Sequence, residues 1–200
     1  MRVLPYGERA VLIEVDTSAA ALHLHTGLGE LSGVIETVPA ARTVLVTFDE
    51  RTDRARLTAH AAEVLAREHT LAPVGEGVTL TVSYDGADLA STADELGISV
   101  DELVERHVAA EYVVGFCGFS PGFAYLTGLD PRLHVARLDT PRTSVPSGSV
   151  AIAGEYTGVY PRRSPGGWRL LGRTDAVIWD VTRPDPALLA PGTIVRFRAA

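Results

Sequence analysis

The sequence predicts an α+β protein, a small two-layer α+β N-terminal domain followed by a β-barrel domain. Two observations carry that expectation. Over residues 1–75 the pattern runs strand, strand, helix and then repeats, an order that builds one sheet with helices packed on it. Over residues 115–172 the chain concentrates ten of its 19 glycines and six of its 12 prolines. Glycine opens backbone conformations that a Cβ forbids, and proline fixes φ and removes a donor. Alternated with short apolar runs, they give short strands joined by tight turns. The same stretch keeps Phe116, Phe119, Phe123, Tyr125, Tyr160 and Trp168, so it reads as a folded β-rich site and not as a spacer.

Each element has its own signal. RVLPYG (2–7) and AVLIEV (10–15) read as strands across a short turn. Thr17 or Ser18 can cap a helix whose apolar face is Ala21, Leu24, Leu28 and Leu31. GVIETVPA (33–40) and RTVLVTF (42–48) read as a strand pair, and Asp53 begins a second helix with Leu57, Ala61, Val64 and Leu65 on one face. Pro73 and Gly75 end this half, which places a domain break near Pro73 to Glu76, with the barrel domain over 76–200. GVTLTVSY (77–84) is a strand running into Asp85-Gly86. Ser91-x-x-Asp94 and Ser99-x-x-Glu102 both have capping-box form, so a helical pair is expected over roughly 89–110. Leu103, Val104, His107 and Val108 share the second helix's buried face. From EYVVGF (111–116) onward, turns every 8–12 residues suggest a compact barrel.

Composition excludes several chemistries. All 18 basic residues are Arg, and there is no Lys, Asn or Gln. A Schiff-base lysine, a phosphate-loop lysine and a biotinyl attachment site are therefore absent. Cys117 stands alone, which excludes an internal disulfide framework and suits a reducing cytoplasm. No apolar run is long enough to span a membrane, and no signal peptide is expected at MRVLPYGERAVLIEV. The net charge of −7 is uneven: residues 1–130 carry 8 Arg against 20 acids, or −12, and residues 131–200 carry 10 Arg against 5 acids, or +5. The C-terminal part can meet an anion or an acidic partner, or the asymmetry is ordinary surface charge. With pI near 5.3 and no basic cluster beyond Arg162–Arg163, a nucleic-acid role is not expected.

YDG (84–86), His107, GFSPGF-x-Y (118–125), PR-x-x-VPSGSV-x-IAG (141–154), TGVYP (157–161) and SPGGW-x-L-x-GRT (164–174) occur in fixed order. On these motifs the chain resembles the B subunits of bacterial 5-oxoprolinases, also called kinase-inhibitor-like proteins or allophanate hydrolase subunit 1. It is similar as well to one half of the carboxyltransferase domain of urea carboxylase. Three positions depart from the pattern: Ala136 before Arg137, Tyr156 in place of Gln, and Asp175 in place of Pro. The resemblance implies a cyclophilin-like barrel for the C-terminal domain. It implies partnership with a homologous C subunit and an A subunit, and opening of 5-oxo-L-proline to glutamate with hydrolysis of ATP. It leaves two rivals, a regulatory protein that inhibits a histidine kinase and, from the barrel type alone, a prolyl isomerase.

Opening a lactam through phosphorylation of its oxygen needs donors for phosphate and oxyanion, and a proton carrier. Arg142 and Arg173 can hold a carboxylate or phosphate bidentately, or brace their loops. Ser147, Gly148 and Ser149 can present hydroxyls and N–H groups to an anion, or simply turn a hairpin. Gly166 and Gly167 allow close backbone approach with Trp168 as a wall, or Trp168 fills the core. Phe119, Pro121, Phe123, Tyr125 and Tyr160 complete the expected substrate and ATP surface. His107 is a candidate proton carrier or a satisfied core histidine. Asp85 is a candidate acid or base, or makes an Asx-turn. No GxxxxGKS loop is present, so ATP binds in another way or between subunits. No metal site is expected, and Cys117 reads as a small hydrophobe. The motifs at 118–125, 141–149 and 164–173 are expected to converge on one cleft.

Overall fold

A computed structural model describes residues 1–67 and 77–200. The domain break expected near Pro73 to Glu76 lies outside them. The chain divides into two compact units, Met1–Ala72 and Pro73–Ala200.

In the first unit β1 (Arg2–Pro5), β2 (Ala10–Glu14), β3 (Val34–Pro39) and β4 (Thr43–Phe48) form an antiparallel sheet of order β1-β2-β4-β3. Successive residues of a strand face opposite sides. Val11, Ile13, Val44, Val46 and Phe48 accordingly share one buried face. Helices α1 (Ser18–Gly29) and α2 (Arg54–Ala66) contribute Ala21, Leu24, Leu28, Leu57, Ala61 and Val64 to the same core. Leu24, Leu28 and Leu57 are fully buried, each contributing about 1.5–3 kcal/mol. Thr17 caps α1 through a 3.1 Å bond from the Ala20 N–H, and Asp53 caps α2 through a 3.0 Å bond from Ala55. The helices cross so closely that a Cβ at Gly27 would lie 2.7 Å from Val64 Cγ1.

The second unit holds a seven-stranded sheet of order β12-β9-β10-β7-β6-β13-β5. Its strands are β5 (Val78–Val82), β6 (Tyr112–Cys117), β7 (Ala124–Thr127), β9 (Ser149–Ala153), β10 (Tyr156–Val159), β12 (Arg169–Arg173) and β13 (Ile194–Ala199). All neighbours pair antiparallel except β13 and β5, which are parallel. The two edge strands then meet. Ser83 and Arg173 exchange both backbone hydrogen bonds at 2.9 Å, and the Gly86 and Asp88 N–H groups reach Leu171 O and Leu170 O at 3.0 Å. The sheet thereby becomes a nearly closed barrel, the architecture the turn-rich sequence predicts.

Every residue of β9 is buried, so both faces of the sheet are covered there. Val150 and Ile152 face the principal core with Leu80, Val82, Val114, Leu126 and Phe197. Ala151 and Ala153 face a second core with Phe123, Val145, Tyr160, Trp168 and Leu170. A two-stranded ribbon, β8 (Arg142–Val145) with β11 (Ser164–Gly166), supplies Val145 to this second core. Helices α3 (Leu89–Leu96) and α4 (Val100–Ala109) bring Leu89, Ala93 and Leu103 to the first.

Of the two expected capping boxes, one forms by half: Ser99 caps its helix, while the Glu102 carboxylate takes Arg106 at 2.8 Å. Ser99 accepts the Glu102 N–H at 3.1 Å and caps α4. Ser91 caps nothing: it lies inside α3, its hydroxyl bonding back to Asp88 O at 3.1 Å. Helix α3 starts after Asp88, which makes no side-chain cap.

Candidate functional site

The barrel closes at the YDG motif, and backbone contact sets its composition. A Cβ at Gly86 would lie 2.2 Å from Leu170 O, and one at Gly172 2.3 Å from Ser83 O. Only glycine lets the two edges approach this closely. Charged pairs line the seam. Asp85 and Arg173 pair at 3.0 Å, both side chains more than half exposed. Arg169 pairs with Glu95 of α3 at 2.7 Å and donates to Ala136 O at 3.1 Å. Asp88, 5% exposed, accepts the Leu170 N–H on one oxygen at 2.8 Å and Arg142 Nη2 on the other at 2.6 Å.

Arg142 is thus fixed by a buried carboxylate while its Nη1 is buried without a hydrogen-bond partner. An unsatisfied buried donor is costly, so Nη1 marks the arm of this guanidinium that the chain leaves uncommitted. Gly166 pairs with Arg142 across the ribbon and lies against Tyr160, whose hydroxyl would be 2.2 Å from a Cβ there. Burial raises the Tyr160 pKa, while the Trp168 backbone hydrogen bond and the charges of Arg137 and Arg142 lower it. These groups form one neighbourhood that combines a held cation, a protonated phenol and a close backbone.

The three motifs expected to converge on one cleft do come together, but not as a cleft. Phe123 of the first meets Tyr160 at 5.2 Å and Trp168 of the third at 5.3 Å between ring centroids, and Tyr125 meets Trp168 at 5.5 Å. The second motif enters through β8, which pairs with β11. They converge on packed aromatic core: Phe123, Tyr160 and Trp168 are 2%, 2% and 4% exposed. Trp168 is a core residue, and not the exposed wall of a binding cleft. Phe119 and Pro121 remain exposed at the rim of this cluster. A Cβ at Gly167 would lie at an ordinary 3.6 Å from Leu138 O and from Pro141, so no close approach requires glycine there.

Ser147, Gly148 and Ser149 do not form a free anion cradle. The Ser147 hydroxyl donates to Pro161 O at 3.0 Å, the Gly148 N–H to Tyr160 O at 2.8 Å, and the Ser149 hydroxyl to Pro146 O at 2.9 Å. Donors already used within the protein make the segment a structural turn.

His107 is fully buried, and both ring nitrogens are engaged: Nδ1 with the Tyr84 hydroxyl at 2.7 Å and Nε2 with Thr157 Oγ1 at 2.9 Å. Burial raises the Tyr84 pKa strongly, so that phenol stays protonated and donates to Nδ1. Thr157 donates to Ala151 O at 3.2 Å, so its oxygen accepts Nε2–H. The chain of donors fixes the neutral Nε2–H tautomer. Burial also drives the His107 pKa down to about 3. A neutral imidazole with no free nitrogen ties α4 to the barrel and is not placed to carry a proton to a ligand. Cys117 donates to Leu189 O at 3.4 Å, and burial pushes its thiol up to about 11, which is not the condition of a nucleophile.

Beside the seam, Thr79, Thr81, Ser83, Arg173, Thr174 and Asp175 help to line a cavity of about 320 Å³. Among the described residues no group of three or more His, Cys, Asp or Glu is arranged to share a metal ion. No helix among them is long and apolar enough to cross a membrane. Sequence reasoning missed Asp88, the residue that holds Arg142. Its signal was a carboxylate two positions after YDG at the start of a helix.

Residues 1–189 match the family model of the carboxyltransferase domain, subdomain C and D. The B subunit of the 5-oxoprolinase from Escherichia coli O157:H7 is 38% identical over 96% of this chain and 92% of its own length. The crystal structure of TTHA0988 superposes with a TM-score of 0.80 at 34% identity over 96% of this chain, which spans 40% of that protein's length. The urea amidolyase of K. lactis shares the fold, with a TM-score of 0.69 at 21% identity over 100% of this chain and 16% of its own.

Proposed function

The chain belongs to the family of the carboxyltransferase domain, subdomains C and D, and from that premise we propose that it is the B-type subunit of a 5-oxoprolinase. The observation that carries this reading is the end-to-end likeness to the Escherichia coli protein, 38% identical over 96% of this chain and 92% of the relative. The assembly would open the lactam of 5-oxo-L-proline to L-glutamate with hydrolysis of ATP, and this chain would be inactive by itself. Its partners would be an A-type and a C-type subunit. No observation favours the histidine-kinase or prolyl-isomerase readings.

The chemistry suits the groups present. A lactam carbonyl is unreactive until ATP phosphorylates its oxygen and ADP leaves. Water then adds to the carbon, the ring C–N bond breaks as its nitrogen takes a proton, and the acyl phosphate so formed is hydrolysed to glutamate and phosphate. Negative charge builds on oxygen at each step. In this reading Arg142, held by Asp88 and part-exposed, offers its guanidinium to the substrate carboxylate or to the developing oxyanion. Arg173 and Asp85 at the seam supply a second cation and a solvent-exposed carboxylate for proton exchange. ATP contacts are shared with the partner subunits, because the chain has no phosphate loop.

The test is reconstitution. The purified chain alone is expected to produce no glutamate from 5-oxoproline. The mixture with its A-type and C-type partners is expected to hydrolyse ATP only when 5-oxoproline is added, one ATP per glutamate. A mixture that assembles yet leaves 5-oxoproline intact overturns the reading.

A further inference from the structure

The barrel seam is joined at Ser83 and open beyond it. Strand β5 bonds to β13 through alternate residues, as the Ala200 N–H donating to Val82 O at 3.0 Å shows. Backbone groups of successive strand residues point to opposite edges of the strand. Ser83 therefore faces the other edge, where it exchanges both of its bonds with Arg173. Thr81 and Thr79 face that same edge, and among the described residues no backbone group bonds to their N–H and C=O groups there. A bare strand edge is a row of unused donors and acceptors. The course of the chain explains why this one stays bare. Just past Arg173 the Thr174 N–H turns to Gly148 O at 2.9 Å, before β9, and the Ala176 N–H bonds to Thr174 Oγ1 at 3.3 Å. The segment after β12 thus bends away from β5, and the wedge between them is the cavity of about 320 Å³.

The cavity wall carries both signs of charge. Arg173 gives Asp85 only its Nε, at 3.0 Å, so its two Nη groups are uncommitted. The Asp175 carboxylate is exposed and has no hydrogen-bond or ion-pair partner among the described residues. Both side chains belong to residues that line the cavity. Thr81 Oγ1 accepts Arg198 Nη2 at 3.0 Å, which brings a second guanidinium to the β5 side. The volume lies at the low end for small-molecule sites, which join a concave wall to a few convergent polar groups. A simple anion would leave Asp175 unanswered and would meet its repulsion. A cation would meet the guanidinium in the same way. The ligand that matches a strand edge with a cation and a carboxylate beside it carries a carboxylate and an ammonium on one carbon.

We propose that this cavity binds a free α-amino acid, laid against the bare edge of β5 with its carboxylate on Arg173 and its ammonium on Asp175. The Thr79 and Thr81 N–H groups add donors to the carboxylate, and their C=O groups add acceptors to the ammonium. The choice of amino acid rests on the 5-oxoprolinase reading: L-glutamate, the product, is the one the assembly would release beside the seam. The nitrogen of 5-oxoproline is acylated and carries no charge, so it cannot answer Asp175. The cavity thereby separates product from substrate.

The experiment titrates the full-length chain with L-glutamate by calorimetry and maps backbone amide shifts by NMR. Saturable binding is expected, with the Thr79 and Thr81 amides among those that move. Glutarate keeps both carboxylates and lacks the ammonium. It and 5-oxoproline are expected to bind at least about 10-fold more weakly, for the loss of one charge-assisted hydrogen bond. Asp175→Asn is expected to weaken L-glutamate by about the same factor. Its melting temperature is expected within roughly 2 °C of wild type, because the carboxylate it replaces is exposed and unpaired. No binding of L-glutamate overturns the inference, and so does binding that moves amides elsewhere and leaves Thr79 and Thr81 unmoved. Glutarate or 5-oxoproline binding as tightly as L-glutamate overturns it too, as does unchanged affinity in Asp175→Asn. Binding is read on the chain without partners, so the two readings fail separately. If L-glutamate binds at the cavity but the reconstituted assembly leaves 5-oxoproline intact, the site stands and the 5-oxoprolinase reading falls. If the assembly turns over but the chain does not bind L-glutamate, the site falls and that reading stands.

Discussion

His107 shows how a residue can look catalytic and be structural. Its ring completes a line from Tyr84 of the YDG motif through Thr157 of β10 to the Ala151 carbonyl of β9. Breaking that line leaves buried polar groups unpaired, at about 1–3 kcal/mol each. The line also imposes a pH dependence whose sign follows from the pKa. In the unfolded chain His107 takes a proton near its ordinary value of 6.5, whereas in the fold it resists until about 3. Between those values the unfolded state binds more protons, so stability is full above about pH 6.5 and is lost as pH falls toward 3. His107→Leu is expected to melt lower than wild type at pH 7, because Tyr84 and Thr157 lose their partner. Its melting temperature is expected to fall less steeply from pH 6.5 to pH 4. Thermal melts across that range decide the matter, and parallel curves would show that His107 does not carry the dependence.

The barrel seam is the element that matters most to the site, because it holds the carboxylate that holds Arg142. Gly86→Ala drives a Cβ to 2.2 Å from Leu170 O, and Gly172→Ala drives one to 2.3 Å from Ser83 O. Backbone on both sides leaves nothing flexible to yield. Each substitution is expected to cost more than about 3 kcal/mol, lowering the melting temperature by roughly 6–12 °C for a chain of this size. Gly154→Ala is the control: its φ is 58° but a Cβ there meets nothing within 4 Å, so only about 1–2 kcal/mol of left-handed strain is expected. Equal losses at all three positions would show that seam contact at Gly86 and Gly172, neither of which has positive φ, costs no more than left-handed strain alone. Strands β1 to β6, both N-terminal helices and the cap at Ser99 were legible in the sequence because period and capping are local, whereas the later strands were legible only as a turn-rich pattern. The seam was not, since it joins segments about 90 residues apart, as Ser83 to Arg173 shows. Asp88 was hidden for a related reason. A carboxylate at a helix start reads as a cap, but two distant donors, Arg142 and Leu170 N–H, take both of its oxygens. With α3 starting after Asp88, the Ser91-x-x-Asp94 pattern falls inside the helix and is a coincidence of spacing. The converging motifs were legible as a set. Their partition into core (Phe123, Tyr160, Trp168) and rim (Phe119, Pro121) depended on which side of the sheet each turn faces, which composition does not encode.

At the scale of the whole molecule, the charge division now has a location. The +5 balance of residues 131–200 includes Arg137, Arg142, Arg169 and Arg173, and the last three pair with Asp88, Glu95 and Asp85 from the acidic part of the chain. Most of these pairs are part-exposed, and exposed ion pairs contribute only about 0–1 kcal/mol. Arg142 differs because its partner is buried and one of its own nitrogens has no partner at all. Two roles for it predict different behaviour of the assembled enzyme. If Arg142 only braces the ribbon against α3, Arg142→Ala strands the Asp88 carboxylate, lowers the melting temperature and loosens assembly. If the part-exposed guanidinium receives the anionic substrate, loss of one oxyanion donor costs about 10²–10³ in kcat, and Arg142→Lys fails to restore it because an ammonium cannot hold Asp88 and ligand in one planar fork. The D88N/R142A double variant separates the two, because it removes the stranded charge. Its stability is expected to recover toward wild type while turnover in the reconstituted assembly stays low and the chain still co-purifies with its partners. Recovery of turnover together with stability would place Arg142 in the scaffold and leave the oxyanion to groups on the partner subunits.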